Sequence, residues 1–131
     1  MKSFLQRLRI MKGNIYTWDV TLAMGAEIPH WVNGNECLVP DMKNWLSSEE
    51  GIAAGWRSAT EAEAIANANT GRPTVSLVPD KNVQVVRPQL YAGVDVMVAQ
   101  AGLELYSYGP MGWAYGFSQS SLEEALYYVH D

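Results

Sequence analysis

Cysteine is almost missing from this chain. Cys37 stands alone among 131 residues, which excludes an intramolecular disulfide. Small secreted domains lean on such cross-links, so an intracellular setting, or a place in a virion, is expected. Histidine is scarce too: there are two, and no His-x-x-x-His pair. A zinc site would have to recruit carboxylates for most of its ligands. Neither a metal nor any other cofactor is expected. No apolar run approaches the ~20 residues that span a bilayer. Gln6, Arg7 and Arg9 interrupt the stretch where a secretory leader needs continuous apolar residues. The chain also lacks a Gly-x-x-x-x-Gly-Lys loop of the kind that cradles phosphates.

Positive charge is missing from the last third. No Lys or Arg follows Arg87. Negative charge is missing from the start: Lys2, Arg7, Arg9 and Lys12 fall in the first twelve residues with no acid among them. Over the whole chain fourteen acids outnumber nine bases, for a net charge of −5. Affinity for nucleic acid comes from clustered cations, so a nucleic-acid partner is not expected. A basic arm on an acidic body suits contact with another protein.

What is present is apolar and aromatic. The 48% apolar content, with five Trp and seven Tyr, is that of a globular domain, and one domain is expected at this length. Phe4, Leu5, Leu8 and Met11 fall at helical spacing, so residues 1–12 read as a basic amphipathic arm, set off by Gly13-Asn14. Residues 13–131 read as one α+β domain. Tyr16, Trp18, Val20 and Leu22 alternate with polar residues, which predicts a strand over Ile15–Met24. Asn33-Gly34 predicts a turn between short strands at Trp31-Val32 and Cys37–Val39. Short helices are predicted from Asp41 to Leu46 and from Ser47 to about Gly55. Thr60 and Glu63 have capping-box spacing ahead of an Ala-rich helix to Asn69, closed by Gly71 and Pro73. Thr74–Val78 and Val83–Arg87 read as strands around a Pro79–Asn82 turn. Val94–Ala99 and Leu103–Tyr108 read as a hairpin, followed by an aromatic run, Trp113–Phe117. Ser121 opens a predicted helix in which Leu122, Ala125, Leu126 and Val129 share a stripe.

The expected fold is therefore α+β. It has a mainly antiparallel sheet of about five or six strands, with two or three short helices packed on one face.

Candidate chemistry is thin. Cys37, His30 and Asp41 lie close in sequence, but Cys37 heads an apolar Cys-Leu-Val run, where a free thiol behaves as a small hydrophobe. Glu49-Glu50 and Glu123-Glu124 sit in the first turns of predicted helices, where they complement the helix dipole. No catalytic residue is assigned. The interaction candidates are Phe4, Leu5, Arg7, Leu8 and Arg9 on the arm, and Tyr108, Met111, Trp113 and Tyr115 in an aromatic, glycine-rich segment. These point to a non-enzymatic structural or accessory subunit of a larger protein assembly, cellular or viral, with protein partners or further copies of itself. The rival reading is a stand-alone binding or inhibitor protein that sequesters a protein or a small ligand.

Overall fold

The computed structural model describes residues 4–79, 81–90, 93, 95–100, 106–111 and 122–131, with the backbone alone at 4–13, 100, 106 and 107. The chain opens with helix α1 (Phe4–Ala23). A small hairpin follows, β1 (Trp31–Val32) and β2 (Asn35–Glu36), then helices α2 (Val39–Leu46) and α3 (Glu49–Ala53). Strand β3 (Arg57–Ala59) leads into α4 (Glu61–Asn69), then β4 (Thr74–Val78), β5 (Asn82–Arg87), β6 (Met97–Gln100), β7 (Tyr106–Pro110) and β8 (Leu126–Val129). The larger sheet has six strands in the order β3-β8-β4-β5-β6-β7, and every neighbouring pair is antiparallel. The α+β fold with a mainly antiparallel sheet of six strands is as expected; the helices, however, cover both faces of the sheet and not one, and α1 is 20 residues long.

Local chemistry explains most elements. Asn33 and Gly34 both take positive φ, 53° and 80°, which closes the β1–β2 hairpin in the tight turn such a pair favours. At α4 the Thr60 hydroxyl accepts from the Glu63 amide, and the Glu63 carboxylate accepts from the Thr60 amide. That reciprocal cap satisfies two donors left open at the helix start. Ser48, one residue later than expected, caps α3 by accepting from the Gly51 amide. Strands β4 and β5 are buried on both faces, apart from Arg87 at the end of β5, because helices cover the sheet on both sides.

Alternation along the strands sorts the core into two sides. On one side Val75, Val83 and Tyr128 join Ile28, Met42, Leu46 and Trp56 in a single cluster. This side is covered by α2 and by the segment leaving α1. On the other, Val86, Val98, Tyr127 and Val129 pack against Ala64 and Ala68 of α4. Asn67 pins α4 to the sheet: its amide lies within 3.2 Å of the Pro73 carbonyl, the Thr74 hydroxyl and the His130 carbonyl.

Three segments differ from expectation. Cys37–Val39 is not a strand: the hairpin closes over Asn35–Glu36, and Val39 opens α2, where Pro40 and the Asp41 cap to the Leu38 amide start the helix. Ile15–Met24 is not a strand: α1 runs unbroken from Phe4 through Gly13 to Ala23. The alternation at Tyr16, Trp18, Val20 and Leu22 hid a second pattern, in which Asn14, Thr17 and Thr21 repeat at helical spacing and are fully buried. The helix expected from Ser121 through Val129 is not formed either. After a short turn the chain enters β8, which pairs with β3 on one side and β4 on the other. Two ladders and the strand-forming Tyr127, Tyr128 and Val129 outweigh the local helical pattern. The hairpin expected near 94–108 is the β6–β7 pair, with an irregular register between Val98 and Gln100. The aromatic run Trp113–Phe117 lies outside the described residues.

Candidate interaction surface

The helix α1 is seated the wrong way round for a surface helix. Its buried row is polar: Asn14, Thr17 and Thr21. The Thr21 hydroxyl donates to the Thr17 carbonyl at 2.8 Å and accepts from the Ile28 amide at 3.0 Å. The Asn14 amide donates to the Cys37 carbonyl. Among the described residues, Asn14 Oδ1 and Thr17 Oγ1 have no hydrogen-bond partner. Burying such groups unpaired costs ~1–3 kcal/mol each. Among the described side chains of the helix, Ile15, 38% exposed, and Leu22, 45% exposed, face outward instead. Met24, just past the helix end, is exposed as well.

The β1–β2 hairpin borders this outer face. The Trp18 indole donates to Glu27 Oε2 at 2.7 Å, and its ring meets the His30 ring edge-on at 4.4 Å between centroids. His30 in turn hydrogen-bonds Glu36 on β2 through Nδ1, at 2.7 Å. Helix and hairpin are thus locked together, and the lock holds Trp31 out at the surface, 58% exposed. Single exposed apolar residues need no explanation; several on adjoining elements mark an interaction site.

Phe4, Leu5, Arg7, Leu8 and Arg9 all lie on the first two turns of α1, and their side chains fall outside the described set. Tyr108 is turned to internal use. Its hydroxyl donates to the Pro88 carbonyl at 2.8 Å and accepts from the Leu90 amide at 3.0 Å, while the Arg87 guanidinium sits 5.8 Å from its ring centroid. Met111 is a correction to the expected surface: it is buried in the cluster under α4, so its side chain is not offered to a partner. Met111 shares that cluster with Val96 and Val98, and its amide donates to the Val96 carbonyl at 2.8 Å. Trp113 and Tyr115 lie outside the described residues. Sequence reasoning missed Ile15, Leu22 and Trp31: the first two fell in the expected strand over Ile15–Met24, and Trp31 was read only as part of a short strand.

A second feature lies on the far side of the hairpin. A cavity of about 400 Å3 is lined by Val32, Trp45 and Cys37, with Glu36, Asp41 and Glu50 at its margins and no Lys or Arg. Cys37 is 2% exposed. Burial, and then the Asp41 and Glu36 carboxylates, push its thiol pKa up. His30 is paired with Glu36 and not with Cys37. That geometry does not make a nucleophile. Among the described residues no cluster of three or more His, Cys, Asp or Glu is placed to hold a metal ion. Among them also, no helix is long and apolar enough to cross a membrane. No protein-family model, curated protein or solved structure matches this chain, so its role must be read from its own surface.

Proposed function

We propose that this chain is a non-enzymatic structural or accessory subunit of a larger protein assembly, held in place through α1. The observation that carries this reading is the inverted seating of α1, with Asn14, Thr17 and Thr21 inward and Ile15 and Leu22 outward. A helix that served only its own domain would gain by the opposite arrangement, since each fully buried aliphatic side chain contributes ~1.5–3 kcal/mol. The basic residues Arg7, Arg9 and Lys12 on the same helix favour a partner that offers acidic groups beside an apolar strip. The test compares the full chain with a chain starting at Met11 and with Leu22→Asp. Both variants should stay folded and lose retention in the native complex. Full retention by both would refute the proposal.

The alternative, a stand-alone protein that sequesters a small ligand, is favoured by one feature, the cavity beside the hairpin. Its lining combines apolar Val32 and Trp45 with the carboxylates of Glu36, Asp41 and Glu50, which suits a ligand bearing an amine or several hydroxyls. Ligand-dependent thermal stabilisation that survives in the chain starting at Met11 would favour this reading over the first.

A further inference from the structure

We propose that His130 is a proton-controlled latch. As the imidazolium it ties the end of β8 to the end of α3, and on losing a proton it lets that corner of the fold open.

The support is where its two ring nitrogens point. Nε2 lies 2.6 Å from the Ala54 carbonyl oxygen, and Nδ1 lies 2.8 Å from the Asp131 main-chain oxygen. Such oxygens accept hydrogen bonds and never donate them. Both nitrogens must therefore donate, and a neutral imidazole carries only one N–H. The protonated ring satisfies both contacts. The neutral ring sets a lone pair against one of the oxygens and forfeits that bond.

The seat is shaped for this ring. Ala54 ends α3, and the last carbonyls of a helix have no partner within it, so they favour a cationic donor from outside. Gly55 follows with φ 107°, and a Cβ there would come within 2.6 Å of Nε2. The Trp56 ring, 1% exposed, meets the imidazole edge-on at 5.2 Å between centroids. The main chain of His130 is itself fixed: its amide donates to the Pro73 carbonyl, and its carbonyl accepts from Asn67. The ring thus joins the α3–β3 corner to an anchored strand end.

Charge around the ring is balanced. Arg57 of β3 and Asp131 pair with each other at 3.1 Å. Glu49 and Glu50 belong to the first turn of α3, Glu61 and Glu63 to the first turn of α4, and Arg72 precedes Pro73. Among the described residues none of these side chains forms an ion pair with His130. Main-chain oxygens hold its protons, whereas His30 is held by the Glu36 carboxylate. The fold binds the second proton more tightly than the unfolded chain does. The contribution of the latch is therefore whole at acid pH, and it is lost as pH rises past about 6.5, where a histidine in an unfolded chain gives up its proton.

NMR from about pH 5 to about pH 9 tests this, with His30→Gln used to assign the ring signals. The folded His130 ring should keep its second proton to higher pH than the same ring in urea. Hydrogen exchange reads the corner itself. The Gly55 and Trp56 amides, bonded to the Ile52 and Gly51 carbonyls, should lose ~5-fold or more of their protection across that range. The Ala64 amide in α4 serves as the reference. In His130→Gln their protection relative to Ala64 should not change with pH. A histidine that only filled space would give pH-independent protection in the wild type as well, and that result would overturn the inference. So would a second proton lost at the same or lower pH in the folded chain, or a loss of protection that persists in His130→Gln.

Discussion

Cys37 and Tyr127 show how the environment of one side chain sets its chemistry. Cys37 is buried in an apolar cluster and lines one cavity with Asp41 and Glu36. Burial chiefly, and the two carboxylates in addition, disfavour its thiolate. Only the thiolate attacks disulfide reagents. At neutral pH a thiol reagent should label the folded chain at least ~10-fold more slowly than the chain in denaturant. Equal rates, read by absorbance, would contradict the buried placement. Tyr127 is mostly buried against α4, and burial, followed by the charge of Glu61, pushes its phenol up to about 12. In the unfolded chain the phenol titrates near 10. The neutral form is thus favoured in the fold. The stability this provides is intact below pH 10 and is lost as pH rises toward 12. Urea unfolding across that window should show a loss of up to ~3 kcal/mol in the wild type. Tyr127→Phe should show a smaller loss, and an unchanged pH profile would refute the assignment.

Among the elements, α4 and α1 make an instructive pair. Everything that defines α4 is local: the Thr60–Glu63 cap, the alanines, and the Gly71-Arg72-Pro73 exit. It was legible in the sequence to within a residue. Its attachment was not, because Asn67 reaches carbonyls at Pro73 and His130, the latter far along the chain. Asn67→Ala would remove the donor to the His130 carbonyl and to the Thr74 hydroxyl, while the Pro73 carbonyl keeps the His130 amide. It should cost ~1–3 kcal/mol in chemical denaturation, and a loss below about half a kcal/mol would show that water replaces the amide. In α1 the helical spacing of the first twelve residues was legible. The second half was not, because a helix that buries Asn14, Thr17 and Thr21 contradicts the rule that apolar residues mark the inner face. The candidate surface was hidden for the same reason. As a strand, the segment would have put Leu22 on the buried face with Tyr16, Trp18 and Val20, and only the observed helix turns Ile15 and Leu22 outward together.

For the molecule as a whole, the deciding event is the placement of β8. Strands β4 and β5 could be read directly, since each is a short apolar run bounded by turn residues. The partner of β4 on its other side could not, because pairing between residues 74–77 and 126–129 has no signature in either segment alone. With β8 in place, Ser58 and Val75 flank Tyr128 on its two sides. Tyr128→Pro would remove a ladder donor in mid-sheet and should abolish cooperative unfolding in urea, while a retained sharp transition would contradict the strand order. The order of synthesis adds a consequence for the cell. A ribosome delivers β3 and β4 well before it delivers β8. Until then β4 has a bare edge on the side where β8 will lie, open to any other nascent strand. Slow translation of the last third should therefore make this chain a client of chaperones that bind early and let go late.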